Sequence, residues 1–202
     1  MPEIDISTNT MILWAVVGYL LGSIPSGILL AKVMGLGNLR EIGSGNIGAT
    51  NVLRTGNKKA AVLTLIFDAL KGIVAVVLAR MIAGELAAQI AAFACMIGHC
   101  FPVWLKFKGG KGVATFFGVV FAIYWPLGLV CALTWLVVAF LSRYSSLAAL
   151  LTAGLSITWL FALGHSEPFF LCVALALLIY LRHGQNIARL RAGTETKIGA
   201  KP

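Results

Sequence analysis

The sequence predicts an all-α, polytopic transmembrane bundle of seven helices, forming one integral-membrane domain over residues 1–202 with the N-terminus outside and the C-terminus cytoplasmic. Three observations carry that expectation. The chain is 59% hydrophobic and only 11% charged, about half the charged fraction of a soluble domain. Its apolar runs recur at lengths that suit a bilayer. Its basic residues, the source of a formal net charge of +9, gather on one side once those runs are threaded alternately through a membrane.

The opening residues, Met1 to Thr10, are polar and acidic and lack the basic start of a cleavable signal peptide. The first apolar run covers 11–31. Gly18 and Gly22 give it a small-xxx-small step for close helix packing, and Pro25 is expected to kink it. The loop at 32–59 carries Lys32, Arg40, Arg54, Lys58 and Lys59, so it is assigned to the cytosol. Runs at 60–80 and 86–105 follow, with Glu85 in the outer link between them. Within the earlier run Asp68 and Lys71, three residues apart, are the one charge pair well inside a span, and intramembrane ionisable groups are candidates for function.

The run at 113–141 is too long for one helix, yet two full spans need about 40 residues. Charge decides. Lys106, Lys108 and Lys111 precede it and Arg143 follows it, and both groups belong inside. The run must therefore cross twice, as two helices of about 14 residues that break near Trp125 and Pro126, each rising about 21 Å. Either the bilayer thins there or the 106–112 loop lies below the headgroups. Runs at 146–164 and 167–181 lead to a basic tail holding Arg182, Arg189, Arg191, Lys197 and Lys201. All basic residues but Arg80 and Lys71 then face the cytosol, and Glu3, Asp5, Glu85 and Glu167 face outward. Cys95, Cys100, Cys131 and Cys172 lie in or beside apolar runs without any C-x-x-C pair, which suits buried thiols rather than disulfides or zinc.

Two polar stretches stand out. Lys106-Phe107-Lys108-Gly109-Gly110-Lys111-Gly112 sets lysines among glycines at a membrane edge, where backbone amides can form an anion-binding concavity. Gly43-Ser44-Gly45-Asn46-Ile47-Gly48 fits G-x-G-x-x-G but lacks the βαβ setting of a dinucleotide site. What remains is a glycine-rich turn before a helix start, suited to an anion. Gly112 after Lys111 excludes a Walker A loop. His183 and Asn186 are three apart where the last helix leaves the membrane, on one face. No H-x-x-x-x-D box follows any histidine. Only Glu41 and Glu195 supply cytosolic carboxylates, so no chelated divalent metal is expected.

Together these stretches resemble the PlsY family of bacterial acyl-phosphate:glycerol-3-phosphate acyltransferases. The resemblance runs from Gly22-Ser23-Ile24-Pro25-Ser26-Gly27 through Gly43–Arg54 and Asp68-Ala69-Leu70-Lys71-Gly72. It continues in Gly98-His99-Cys100-Phe101-Pro102, Phe107–Thr115 and Arg182-His183-Gly184-Gln185-Asn186-Ile187. It implies transfer of a fatty acyl group from acyl phosphate to the 1-hydroxyl of sn-glycerol 3-phosphate, the first acylation of phospholipid synthesis. It further implies a monomer in the bacterial inner membrane that needs no coenzyme A, acyl carrier protein, metal or nucleic acid. The reaction centre it implies is Ser44, Arg54, Lys111, His183 and Asn186, with substrate phosphate bound by Gly43, Gly45, Asn46, Lys108, Gly109, Gly110 and Gly112. One position departs from the pattern. Gln185 stands where the family usually has glutamate, so neutral hydrogen bonds are expected to hold the third block of the resemblance, Arg182–Ile187 with Arg189 and Leu190. The competing expectation is a transporter or flippase for a phosphorylated amphiphile, which would need polar residues across the bilayer midplane.

Overall fold

The computed structural model describes residues 7–199, and every regular element among them is helical. The expectations that rest on Glu3, Asp5 and Lys201 lie outside the described residues. Helix α1 (Thr8–Gly22) is capped by Ser7, whose hydroxyl accepts from the Thr10 amide at 3.2 Å. It ends where Pro25 removes a backbone donor, and α2 (Ser26–Val33) continues it. After a loop and the short α3 (Ala49–Leu53), Asn57 caps α4 (Lys58–Cys100) by accepting from the Ala60 amide at 2.9 Å.

Helix α4 is a hairpin. A straight helix of its 43 residues would be about 65 Å long, yet Asp68 near its start meets His99 near its end at 3.6 Å. The reversal is at Gly84, with φ 85° and ψ −173°, a conformation open in practice only to glycine. The halves 58–83 and 85–100 therefore run antiparallel. This is the chain reversal anticipated beside Glu85.

Small residues let the hairpin's neighbours approach closely. A methyl group at Gly18 would overlap the Ala91 backbone, and one at Gly22 the Cys95 carbonyl. These contacts seat α1 on 85–100, as the small-xxx-small step predicted. On the other half, Gly118 of α5 (Val113–Ile123) packs against the Ala69 backbone, and Gly72 against Thr115. Ala75, Ala79, Ala87, Ala88, Ala91 and Ala92 fill the interior with no exposure.

The break within 113–141 is real, but its two helices are unequal. Helix α5 has 11 residues and α6 (Trp125–Ser142) has 18. Only Tyr124 separates them, because Pro126 sits in the first turn of α6, where its missing N–H costs nothing. Helix α7 (Ser145–Ala162) and α8 (Phe169–Arg182) match the remaining runs. The chain then bends by 63° into α9 (Gly184–Arg191). His183 and Asn186 thus flank a bend and do not share one continuous helix face as expected.

Four helical stretches are long and apolar enough to cross a membrane, or five counting the bent α8–α9 pair. The turns collect at two ends. At one, Arg80 bonds Glu85 at 2.7 Å and the Ala122 carbonyl at 2.5 Å, and Tyr124 stacks on His165 at 4.1 Å. At the other end lie all the polar stretches singled out above.

Candidate functional site

The loop after α4 is built from the helix end upward. A single 3-10 turn, Val103–Leu105, follows Pro102, and Lys106 and Phe107 both take positive φ, 52° and 59°. That turn reverses the chain so that it runs back beside the end of α4. The Gly109 amide donates to the Cys100 carbonyl and the Gly110 amide to the His99 carbonyl, each at 3.0 Å. Both amides are therefore committed and cannot form the anion concavity expected of them. What these glycines supply is close approach. A side chain at Gly109 would overlap the His99 carbonyl, and one at Gly110 would overlap the His99 ring.

Two arginines hold the loop's carbonyls. Arg182 donates to Gly110 at 3.1 Å and Gly109 at 3.2 Å, and its guanidinium lies over the Phe101 ring at 5.0 Å. Arg40 donates to the Lys108 carbonyl and, at 3.2 Å, to that of Gly45. Arg40 thus ties the glycine-rich turn at 43–48 to the 106–112 loop. Burial and the nearby Arg182 cation both lower its pKa.

The turn at 43–48 is organised by buried Asn51 on α3. Its side-chain oxygen accepts from the Ser44 amide at 3.0 Å, the Ser44 hydroxyl at 3.3 Å and Arg54 at 3.5 Å. Its nitrogen donates to the carbonyls of Leu39 at 2.9 Å and Asn46 at 2.7 Å. Gly43 and Gly45 have positive φ, and the Arg54 side chain fills the space beside Gly43.

The third wall comes from α8 and α9. Lys111 donates to the Asn186 side-chain oxygen, while the Asn186 nitrogen donates to Glu195 at 2.6 Å. An ammonium only donates and a carboxylate only accepts, so the amide can face only one way. Glu195 also accepts from Ser146 at 2.8 Å and Arg189 at 2.6 Å. Burial raises the Glu195 carboxyl pKa, and these three hydrogen bonds outweigh it, leaving a net lowering. The third block is consequently held by a carboxylate, from the tail rather than from position 185, which corrects the neutral bonding expected there. His183 is only 2% exposed, and its Nδ1 faces the Ile179 carbonyl at 2.8 Å. That carbonyl must accept, so in the neutral ring Nε2 is the free acceptor.

These walls enclose a cavity of about 380 Å³ lined by Arg40, Ser44, Gly45, Asn46, Gly109, Lys111, Leu181, Arg182, Gly184, Gln185 and Asn186. Of the expected residues, Ser44, Gly45, Asn46, Gly109, Lys111 and Asn186 line it. Arg54 and Gly43 stand behind Ser44. His183 lies buried in the bend between α8 and α9, outside the lining. Gly110 and Gly112 are buried, and the Lys108 side chain is exposed. Sequence reasoning missed Arg40 and Gln185 as wall residues, Asn51 as the organiser of the turn, Arg182 as a loop clamp, and the bonding of Glu195, noted there only as a cytosolic carboxylate. Burial lowers the Lys111 ammonium to a pKa of about 8, with Arg189 the next cause. At neutral pH it remains mostly charged. The cavity therefore presents an ammonium, guanidinium groups, a hydroxyl and amides to whatever enters, a set suited to phosphate oxygens.

Comparison with known proteins agrees with this chemistry. The family described as "Glycerol-3-phosphate acyltransferase" matches residues 12–193. A protein of that name from Ruegeria pomeroyi is 57% identical over 201 residues, spanning 100% of this chain and 99% of its own. Another, from Roseobacter denitrificans, is 58% identical over 198 residues, 98% of this chain and 99% of its own. The fold is similar to the crystal structure of PlsY, an integral membrane glycerol 3-phosphate acyltransferase, in its glycerol 3-phosphate form. The TM-score is 0.88 at 39% identity, covering 94% of this chain and 96% of that one.

Proposed function

The chain belongs to the glycerol-3-phosphate acyltransferase family, and on that premise we propose that it moves a fatty acyl group from acyl phosphate to the 1-hydroxyl of sn-glycerol 3-phosphate. The products are 1-acylglycerol 3-phosphate and inorganic phosphate. The observation that carries this reading is the meeting of Ser44, Lys111 and Asn186 in one cavity beside Arg40 and Arg182. Their convergence at the bundle's polar end favours catalysis there over passage of substrate through the midplane, as a transporter requires.

Both reactants carry phosphate, and the cavity's cations answer both. Lys111 and Arg182 neutralise one phosphate, with Lys108 and Gly112 of the same loop as further candidates for binding it. Ser44, Gly45 and Asn46 form the opposite wall for the other, backed by Arg54 and Gly43. An acyl phosphate is already activated, so no protein nucleophile is needed. The new ester bond forms as the carbonyl–phosphate bond breaks, and inorganic phosphate leaves with the electron pair. Rate enhancement then comes from holding the hydroxyl against the carbonyl and stabilising charge on the oxyanion and leaving phosphate. His183, with Nε2 as acceptor, supports a role in receiving the hydroxyl proton, the alternative acceptor being a substrate phosphate oxygen. Asn186 keeps the Lys111 ammonium aimed.

The same reading places the protein in a bacterial inner membrane as a monomer. Seven membrane segments leave the N-terminus outside, with the cavity and C-terminus on the cytoplasmic side. The hairpin at Gly84 and the break at Tyr124 support that count. The deciding experiment supplies the purified protein with acyl phosphate and glycerol 3-phosphate, then follows released phosphate and lysophosphatidate. Turnover is expected with acyl phosphate and not with acyl-coenzyme A or acyl carrier protein. Lys111→Ala is expected to abolish it in a protein that still elutes as a folded species. Equal turnover with acyl-coenzyme A would refute the donor assignment.

A further inference from the structure

Directly beneath the 106–112 loop lies a buried ionic cluster that the reaction above does not use. Asp68 and Lys71 pair at 2.8 Å. Lys71 also donates to the Ile24 carbonyl at 3.1 Å, where α1 gives way to α2. Thr115 at the start of α5 donates to the Asp68 carbonyl at 2.9 Å. His99 brings its Nδ1 to 3.6 Å from the Asp68 carboxylate. All four side chains are buried. Taking charges out of water is costly unless pairing offsets it, so the cluster fixes the separation of the segments that contribute to it. Those segments are both halves of α4, the α1–α2 break and the start of α5.

The far edge of the His99 ring faces the loop. The three atoms nearest to a side chain on Gly110 would be Nε2 and the two ring carbons beside it. We propose that His99, held in place by Asp68, is the floor on which Gly110 rests, and that this floor sets the position of the adjacent Lys111 ammonium in the cavity. His99 is on this view a positioning residue, acting through the loop without touching substrate. The proposal rests on the reading of Lys111 as a substrate-binding cation.

The three glycines of the loop make the proposal separable from general loop fragility. At Gly109 the obstruction is the carbonyls of His99 and Cys100 together with the Pro102 ring, and no change to the His99 side chain removes it. Gly112 has φ 83°, strained for any other residue. Gly110 has neither problem, and its obstruction is one side chain. A substitution at Gly110 should therefore be relieved by shortening residue 99, whereas substitutions at 109 and 112 should not.

The test is a compensation series in the full chain, assayed with acyl phosphate and glycerol 3-phosphate after confirming monodisperse elution. Gly110→Ala alone is expected to lose roughly a hundredfold in kcat/KM, the scale of an ångström-sized misplacement. His99→Ala with Gly110→Ala is expected to regain about tenfold of it. His99→Ala with Gly109→Ala is expected to regain nothing. If the first double variant fails to fold, His99→Ala alone decides, with an expected KM for glycerol 3-phosphate about tenfold higher than wild type and a kcat that falls less. A folded double variant no better than Gly110→Ala, or an unchanged KM in the single variant, overturns the proposal. An inactive wild type instead overturns the acyltransferase reading itself.

Discussion

The Asn186 amide is held between opposite charges, its oxygen accepting from Lys111 and its nitrogen 2.6 Å from Glu195. Each partner dictates which end of the amide faces it, so the ammonium is aimed by a residue nine-tenths buried. Asn186→Asp would set a second carboxylate against Glu195. Asn186→Ala would leave Lys111 without its guide. Both are expected to reduce kcat by ~100-fold or more, the scale for losing one aligned group at a charge-stabilising site. Steady-state phosphate release checks this, with circular dichroism confirming the helical fold.

Lys111 makes activity depend on pH in a definite direction. Its pKa is lowered to about 8, chiefly by burial, so the charged form declines as pH rises through that value. The kcat/KM profile is expected to fall above pH about 8. Bound phosphate oxygens favour the ammonium, so the matching limb of the kcat profile should lie at higher pH. Lys111→Arg should remove the limb along with most of the activity.

Glu195 ties the tail to Ser146, Asn186 and Arg189. Its pKa is lowered in the folded protein. The stability it contributes is therefore present above the ordinary carboxylate range and is lost as pH falls through the folded value. Glu195→Gln should lower stability at neutral pH by about 1–3 kcal/mol. It should also flatten the acid side of a Tm-against-pH plot in detergent.

Gly84→Ala tests the hairpin. Its φ of 85° and ψ of −173° belong to a region that costs any other residue about 1–3 kcal/mol. Nothing lies within reach of an added methyl, so the whole penalty is conformational. Gly22→Ala tests packing instead, since its added methyl would strike the Cys95 carbonyl. Both variants should unfold at lower temperature. Substitution on the facing helix should rescue neither, because the atoms that obstruct a methyl at Gly22 are backbone.

Much of this architecture was legible in the amino-acid order. Alternation of charge demanded a reversal beside Glu85 and a break near Pro126, and both are present because lysines and arginines cannot be left among lipid tails. The two glycines of α1 announced their own contact. The bend at His183 was not legible, since Gly184 continues a pattern that reads as helix. Nor was Glu195, brought back onto Asn186 by a chain reversal at Gly193 (φ 70°). The glycines at 109 and 110 advertised freedom of backbone. Their amides' true partners are carbonyls at the frayed end of α4, and helix ends leave such acceptors wherever the helix stops.

Helix α5, at 11 residues, rises only about 16 Å, far short of the oily slab it faces. If α5 crosses the bilayer as the proposed topology has it, the surface of the leaflet must dip over the cavity, or the cavity must sink into it. A donor dissolved in that leaflet can then bring its reactive head to Lys111 by sideways diffusion, with its tail never wetted. Turnover should accordingly track how crowded the donor is among neighbouring lipids, and diluting it with inert amphiphile should slow the enzyme even when the bulk concentration is unchanged.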